Sequence, residues 1–249
     1  MPVPSLLTLY ILSGSLAMIA AVLIGLGRAL TPPGWSPSER KNVLWTVSLV
    51  LLIWFAIAIF LAQNGAYSAA ADSLPTIQFG LLIPVIAGVA LLFGSATVAR
   101  VLAAVPMQWL VGIQLYRVIG GIFVVLWLAG SVPGLFALPA GIGDLAVGIM
   151  APLVAARYAR NAGQGRSTVA WWNAFGVFDL AVALTLGLLT SPSPLQLFAF
   201  DRPNIIISEF PLILIPTFLV PLSILLHATV WIKLAREKEA PGASTYARG

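Results

Sequence analysis

Seven continuous apolar runs, each about 20 residues long, leave this chain very few folds to choose from. A hydrocarbon core roughly 30 Å thick is crossed by about 20 helical residues, and inside it every backbone polar group must be satisfied within the structure. The runs extend from Ser5 to Gly27, Val43 to Ala62, Ile77 to Gly94, Gln108 to Gly130, Phe136 to Leu153, Thr168 to Thr190 and Glu209 to Ile232. They are unbroken rather than alternating with period two, so barrel strands do not fit. The expectation is an all-α integral membrane protein, a bundle of seven transmembrane helices over residues 1–234 with a short tail over 235–249. Composition agrees: 60% of residues are hydrophobic and only 8% charged, where a soluble chain carries about a quarter. The opening MPVPSLLTLY has no basic residue before its apolar run. It therefore reads as a retained first span rather than a cleaved signal peptide.

The breaks carry turn chemistry: TPPGWSP at 31–37, SVPG at 131–134 and SPSP at 191–194. Between the third and fourth spans, Val98, Val101, Leu102 and Val105 recur at helical spacing opposite Arg100, which suggests a short helix lying in the membrane interface. Basic residues orient the bundle, because cytoplasmic loops hold an excess of Lys and Arg. Of the thirteen Lys and Arg, all but Arg117 and Arg202 follow spans one, three, five or seven. The N-terminus is thus expected outside and the C-terminus in the cytoplasm, in a plasma (inner) membrane. Trp35, Trp45, Trp109, Trp171, Trp172 and Trp231 fall near the same inner boundary and Trp127 near the outer one, as amphipathic rings do.

Several classes of function drop out. With no cysteine there is no disulfide, thiolate chemistry or cysteine zinc site, and one histidine, His227, makes no His-rich metal centre. No metal or other cofactor is expected. Retinal would need a lysine inside a span, whereas Lys41, Lys233 and Lys238 sit at helix ends or in the tail. Walker, dinucleotide, zincin and serine-hydrolase patterns are missing. Nucleic acid is not an expected partner, since topology already accounts for the basic residues.

What remains is charge where charge is expensive. Insertion of a charged side chain near the bilayer centre costs about 2.5–3.5 kcal/mol, so each one needs a partner or a purpose. Arg117 lies near the middle of span four, Asp144 in span five and Asp179 in span six, at depths that differ by about 6 Å. A midplane cluster of these three is expected. Small residues share their faces: Ala140, Gly141, Gly148 and Ala151 with Asp144, and Gly176, Ala183 and Gly187 with Asp179, a pattern that lets membrane helices approach. GIGDLAV at 141–147 also echoes GVFDLAV at 176–182 on spans of opposite direction, the kind of relation found between inverted transporter repeats.

In span seven, Pro211, Pro216 and Pro221 each remove a backbone donor, which predicts a kinked outer half with carbonyls open to neighbours. His227 follows, either relaying protons or held neutral by Ser223 or a carbonyl. Gln114 and Asn173 read as interhelical hydrogen-bonding groups. Arg117, Asp144, Asp179, Gln114, Asn173 and His227 are therefore the candidate substrate- or ion-binding residues, with no catalytic residue among them.

Two functions fit. One is a small proton- or ion-coupled carrier acting on a small solute. The other is a non-catalytic membrane subunit that binds a lipid, quinone, pigment or partner protein between helices. Both have the lipid bilayer as a partner, and a homo-oligomer or membrane-complex partner is compatible with either.

Overall fold

The computed structural model describes residues 5–31, 34–68 and 71–239. Among these residues the chain is helical with no strand: α1 (Ser5–Ala29), α2 (Pro37–Gln63), α3 (Ile77–Gly94), α4 (Ala96–Ala104), α5 (Met107–Gly112), α6 (Ile122–Leu128), α7 (Gly134–Arg160), α8 (Ala162–Thr190) and α9 (Val220–Glu239). A 3₁₀ segment, Ile113–Gly121, joins α5 to α6, and a π-helical turn, Ile215–Leu219, leads into α9. Seven of the resulting helical rods are long and apolar enough to cross a membrane. The polytopic, all-helical architecture is as expected. The last helix continues to Glu239, and residues 240–249 of the expected tail, Arg248 among them, lie outside the described residues.

Several helices outrun their apolar stretches because caps satisfy the exposed backbone groups at their ends. Ser36 and Glu39 form a capping box at α2: Ser36 Oγ accepts from Glu39 N at 3.2 Å, and Glu39 Oε2 accepts from Ser36 N at 2.8 Å. Asn161 Oδ1 accepts from Gln164 N at 3.1 Å and starts α8 six residues ahead of its expected first residue, Thr168. Ser95 Oγ caps α4, which occupies the place of the short helix expected after span three.

Two spans depart from regular α-helix. The middle of span four is wound more tightly, as the 3₁₀ segment. Span seven does not begin at Glu209: residues 209–213 form a turn, and helical structure starts at Leu214. Prolines are the cause, since Pro211 and Pro216 cannot donate to carbonyls of a preceding turn. This irregular backbone enters the bundle and is covered there, with Leu212, Ile213 and Leu214 all buried. Non-helical backbone is tolerated in an apolar layer under that condition.

α7 is the central rod. Its small residues Ala137, Ala140, Gly141, Gly148 and Ala151 are buried, and a Cβ added at Gly148 would sit 2.9 Å from Val118 N, so α7 and the 3₁₀ segment touch backbone to backbone. α8 packs on the other side of α7, and α9 lies against α3 and α8. Aromatic pairs fill the core between Phe123 and Phe136, and between Phe55 and Phe218, with ring centroids 4.9 Å apart in each case. α2 and α3 turn Leu49, Ile53, Ile57, Phe79, Ile83 and Ile86 outward, a surface suited to lipid tails rather than water.

One end of the bundle gathers the basic residues. Arg100 pairs with Glu39 at 2.7 Å, donates to the Gly34 carbonyl and lies 4.0 Å from the Trp35 ring centroid. Lys233 Nζ caps α4 through the Leu102 carbonyl at 2.9 Å, and Tyr158 donates to Glu237 at 2.7 Å. Trp172 is a correction to the aromatic belt expected here. It is only 3% exposed, donates to the Val147 carbonyl at 3.1 Å and packs against His227, because it faces α7 and α9 rather than the bundle surface.

Candidate functional site

Three residues per turn is what builds the site. In a 3₁₀ helix, side chains three apart stack in line, so Gln114, Arg117 and Gly120 occupy one face of the Ile113–Gly121 segment, and all three are buried. That face looks into the meeting point of α7, α8 and α9.

Arg117 engages both carboxylates. Its Nε donates to Asp144 Oδ1 at 2.7 Å, and Nη2 lies 2.6 Å from the same oxygen and 2.5 Å from Asp179 Oδ2. Nη1 completes the set, donating to the Gly176 carbonyl at 3.1 Å and lying 3.3 Å from His227 Nε2. Every guanidinium nitrogen is thereby occupied in the planar fork geometry arginine offers. One cation and two carboxylates leave the cluster formally at −1.

Hydrogen-bond logic assigns the histidine. Asn173 Nδ2 donates to the His227 backbone carbonyl at 3.1 Å, which fixes the amide and turns its Oδ1 toward His227 Nδ1 at 2.7 Å. Nδ1 is therefore the donor, and Nε2 is left with its lone pair toward Arg117. His227 is held by Asn173 and Arg117 and not by Ser223, which bonds Gln114 instead: Ser223 Oγ donates to Gln114 Oε1 at 3.1 Å, and Gln114 Nε2 reaches the Ser223 carbonyl at 3.4 Å. The interhelical role expected for Gln114 and Asn173 matches these contacts. The structure places all six candidate residues in one compact region, five of them around the guanidinium and its histidine, with Gln114 one 3₁₀ turn away.

Glycines on the neighbouring helices make the space. A Cβ on Gly120 would run into the Asp144 carboxylate, and one on Gly143 into the Asp179 carboxylate. A Cβ on Gly176 would lie 2.5 Å from His227 Cε1. Asp144, Asp179 and His227 thus each lie over a glycine of a neighbouring segment. Sequence reasoning had Gly176 on the right face but missed Gly120, Gly143 and Tyr116, whose hydroxyl donates to the Leu219 carbonyl at 2.8 Å. The signal for Gly120 was present in the GlyGly pair three residues after Arg117, but it points to the site only once the segment is known to be 3₁₀.

The cluster is open on one side. A cavity of about 280 Å³ runs from Asp144 toward the end of the bundle opposite the basic one, between α3, α7 and α8, beneath the loop that joins α8 to the last span. Its wall is largely apolar, with Phe123, Phe136, Leu180, Leu184, Leu188 and Ile215, and few polar side chains, among them Gln78, Thr185, Ser191 and Ser208. A second space of about 20 Å³, the size of a single water site, lies beside it against Arg117, Asp144 and Ser223. Exposure separates the carboxylates: the Asp144 side chain is 15% exposed, against 6% for Asp179 and 2% for Arg117. The small-residue face of α8 accordingly has two uses, because Gly176 seats His227 whereas Ala183 and Gly187 line the cavity instead of closing a helix contact.

A family model described as Domain of unknown function (DUF8737) matches residues 74–235. The chain belongs to this family. The matched DUF8737 segment runs from just before α3 into α9 and contains the whole Arg117 cluster and every residue that lines the two cavities; α1 and α2 lie outside it. No curated protein and no solved structure matches the chain.

Proposed function

We propose that this DUF8737 protein binds a small lipophilic molecule within the membrane, in the cavity above Asp144, and that it is threaded with its N-terminus outside and its basic end in the cytoplasm of a plasma (inner) membrane. The observation that carries the reading is the pairing of an apolar cavity with one partly open carboxylate at its floor. Binding sites of this kind are concave, mostly apolar and carry a few fixed polar groups that orient the ligand. A guanidinium whose nitrogens are all engaged supports a positioning role for Arg117, which holds Asp144 in place. Asp179, Asn173, His227 and Gln114 in turn hold Arg117 and its helix neighbours. No catalytic role is proposed for any of them.

The test is native mass spectrometry of the full chain released from detergent. We expect a bound lipophile of low mass, and expect it to be lost from Ala183→Trp, which puts a large ring into the cavity. A wild-type chain that is always ligand-free would overturn the reading, as would a bound mass indifferent to Ala183→Trp.

A carrier is the second reading, and one observation favours it. The cluster is bounded by a 3₁₀ segment and adjoins a π-helical turn, and such irregular turns are common at moving or functional positions. On this reading the ligand crosses the protein and the carboxylates carry the coupling proton. Reconstituted vesicles with an imposed pH gradient should then accumulate the co-purified molecule, and Asp179→Asn should abolish that accumulation. Binding without accumulation leaves the first reading and removes the second.

A further inference from the structure

Among the described residues the cavity wall has no Lys, Arg or His, and Asp144 is its one charged residue. Arg117, the only cation of the cluster, has each of its nitrogens engaged by Asp144, Asp179, the Gly176 carbonyl or His227, so no donor is left for an anionic head group. Asp144 gives Oδ1 to Arg117, while Oδ2 accepts none of these bonds. An entering molecule therefore meets a carboxylate at the floor of an apolar chamber, within a cluster of two carboxylates and one cation.

We infer that the ligand is a cationic amphiphile, with an ammonium-type head at Asp144 and an apolar body along Leu184, Leu188 and Phe136. This names the ligand class for the cavity reading given above and rests on it. Three alternatives are worse matched. A bare divalent cation wants six or more oxygen ligands, which a wall of apolar carbon with a single carboxylate does not supply. An alcohol or quinone head could bond or approach the carboxylate but brings no positive charge to a site where two carboxylates share one cation. A carboxylate or phosphate head would bring a further negative charge. The cavity, about 280 Å³ and open on one side, has room for a body of about eight carbons with a small head.

The experiment uses the full chain in lipid nanodiscs and three probes with the same body: octylammonium, octanol and octanoate. Binding is read as the dose-dependent rise of the thermal unfolding midpoint relative to Ala183→Trp, which cancels the effect of each probe on the bilayer. Octylammonium should bind about tenfold or more tightly than octanol, octanoate should not bind, and Asp144→Asn should make octylammonium and octanol equal. Should Asp144→Asn not fold, the three-probe series on the unaltered chain decides alone. Equal binding of octanol and octylammonium overturns the head-group assignment and leaves the cavity reading standing. Absence of any binding sensitive to Ala183→Trp overturns both.

Discussion

Arg117 shows how one side chain can be both costly and indispensable. Its charge in a transmembrane helix is unfavourable, yet the fork reaches two carboxylates, a carbonyl and a histidine from three different helices. Lysine could keep the charge but not these directions, since it presents three donors from a single nitrogen. Arg117→Lys is expected to lose about 1–3 kcal/mol through buried acceptors left unmet. Arg117→Met should lose about 3–5 kcal/mol, because two carboxylates then stay buried without a cation. Both losses are measurable as unfolding free energies in mixed micelles. Equal stability of Arg117→Met and wild type would show that the cluster is not buried as described. Gly176→Ala tests the same site from below, since its methyl would meet the His227 ring and Arg117 Nη1, at 2.5 and 3.4 Å. It should destabilise the chain although alanine is the better helix former.

At the scale of elements, the two departures from α-helix have different origins. The π turn follows from proline. In α-helical register the N–H at position 221 would meet the Thr217 carbonyl; Pro221 has none, and Trp54 Nε1 of α2 donates there at 3.2 Å while its ring packs edge-on against Phe218. The sequence announced a freed carbonyl but not its partner, because Trp54 is 163 positions away in the chain. Trp54→Phe should therefore cost about 1 kcal/mol or somewhat more, and less in a Pro221→Ala background, where the backbone regains its own donor. A double-mutant cycle measures this; identical losses in both backgrounds would refute the link. The 3₁₀ segment has no such signature. Apolar residues dominate it, and a 3.6-residue period over span four gives no hint that Gln114, Arg117 and Gly120 align. Its close backbone contact with α7 through Gly141 and Gly148 is a property of the packed pair.

For the whole molecule, the distribution of Lys and Arg makes a topological prediction that a chain without cysteine lets one test cleanly. Ser131→Cys, between α6 and α7, should react with a membrane-impermeant maleimide on intact cells. Gly163→Cys, in the first turn of α8, should react only after permeabilisation. The reverse pattern would invert the proposed orientation. By itself the sequence determined the class of fold, most span boundaries and the three residues whose charge had to be answered, because hydropathy and the cost of buried charge act locally and leave their mark residue by residue. It also put Arg117, Asp144 and Asp179 within about 6 Å of one another in expected depth, since helical rise is fixed. Tertiary structure alone decided which guanidinium nitrogen meets which carboxylate, that His227 turns to Asn173, and that the small residues of α8 pack tightly at Gly176 but open a cavity at Ala183 and Gly187. Those outcomes depend on how close each pair of helices comes and on which atoms then share a volume. A glycine reads the same in sequence whether a neighbour fills the space it leaves or a ligand does.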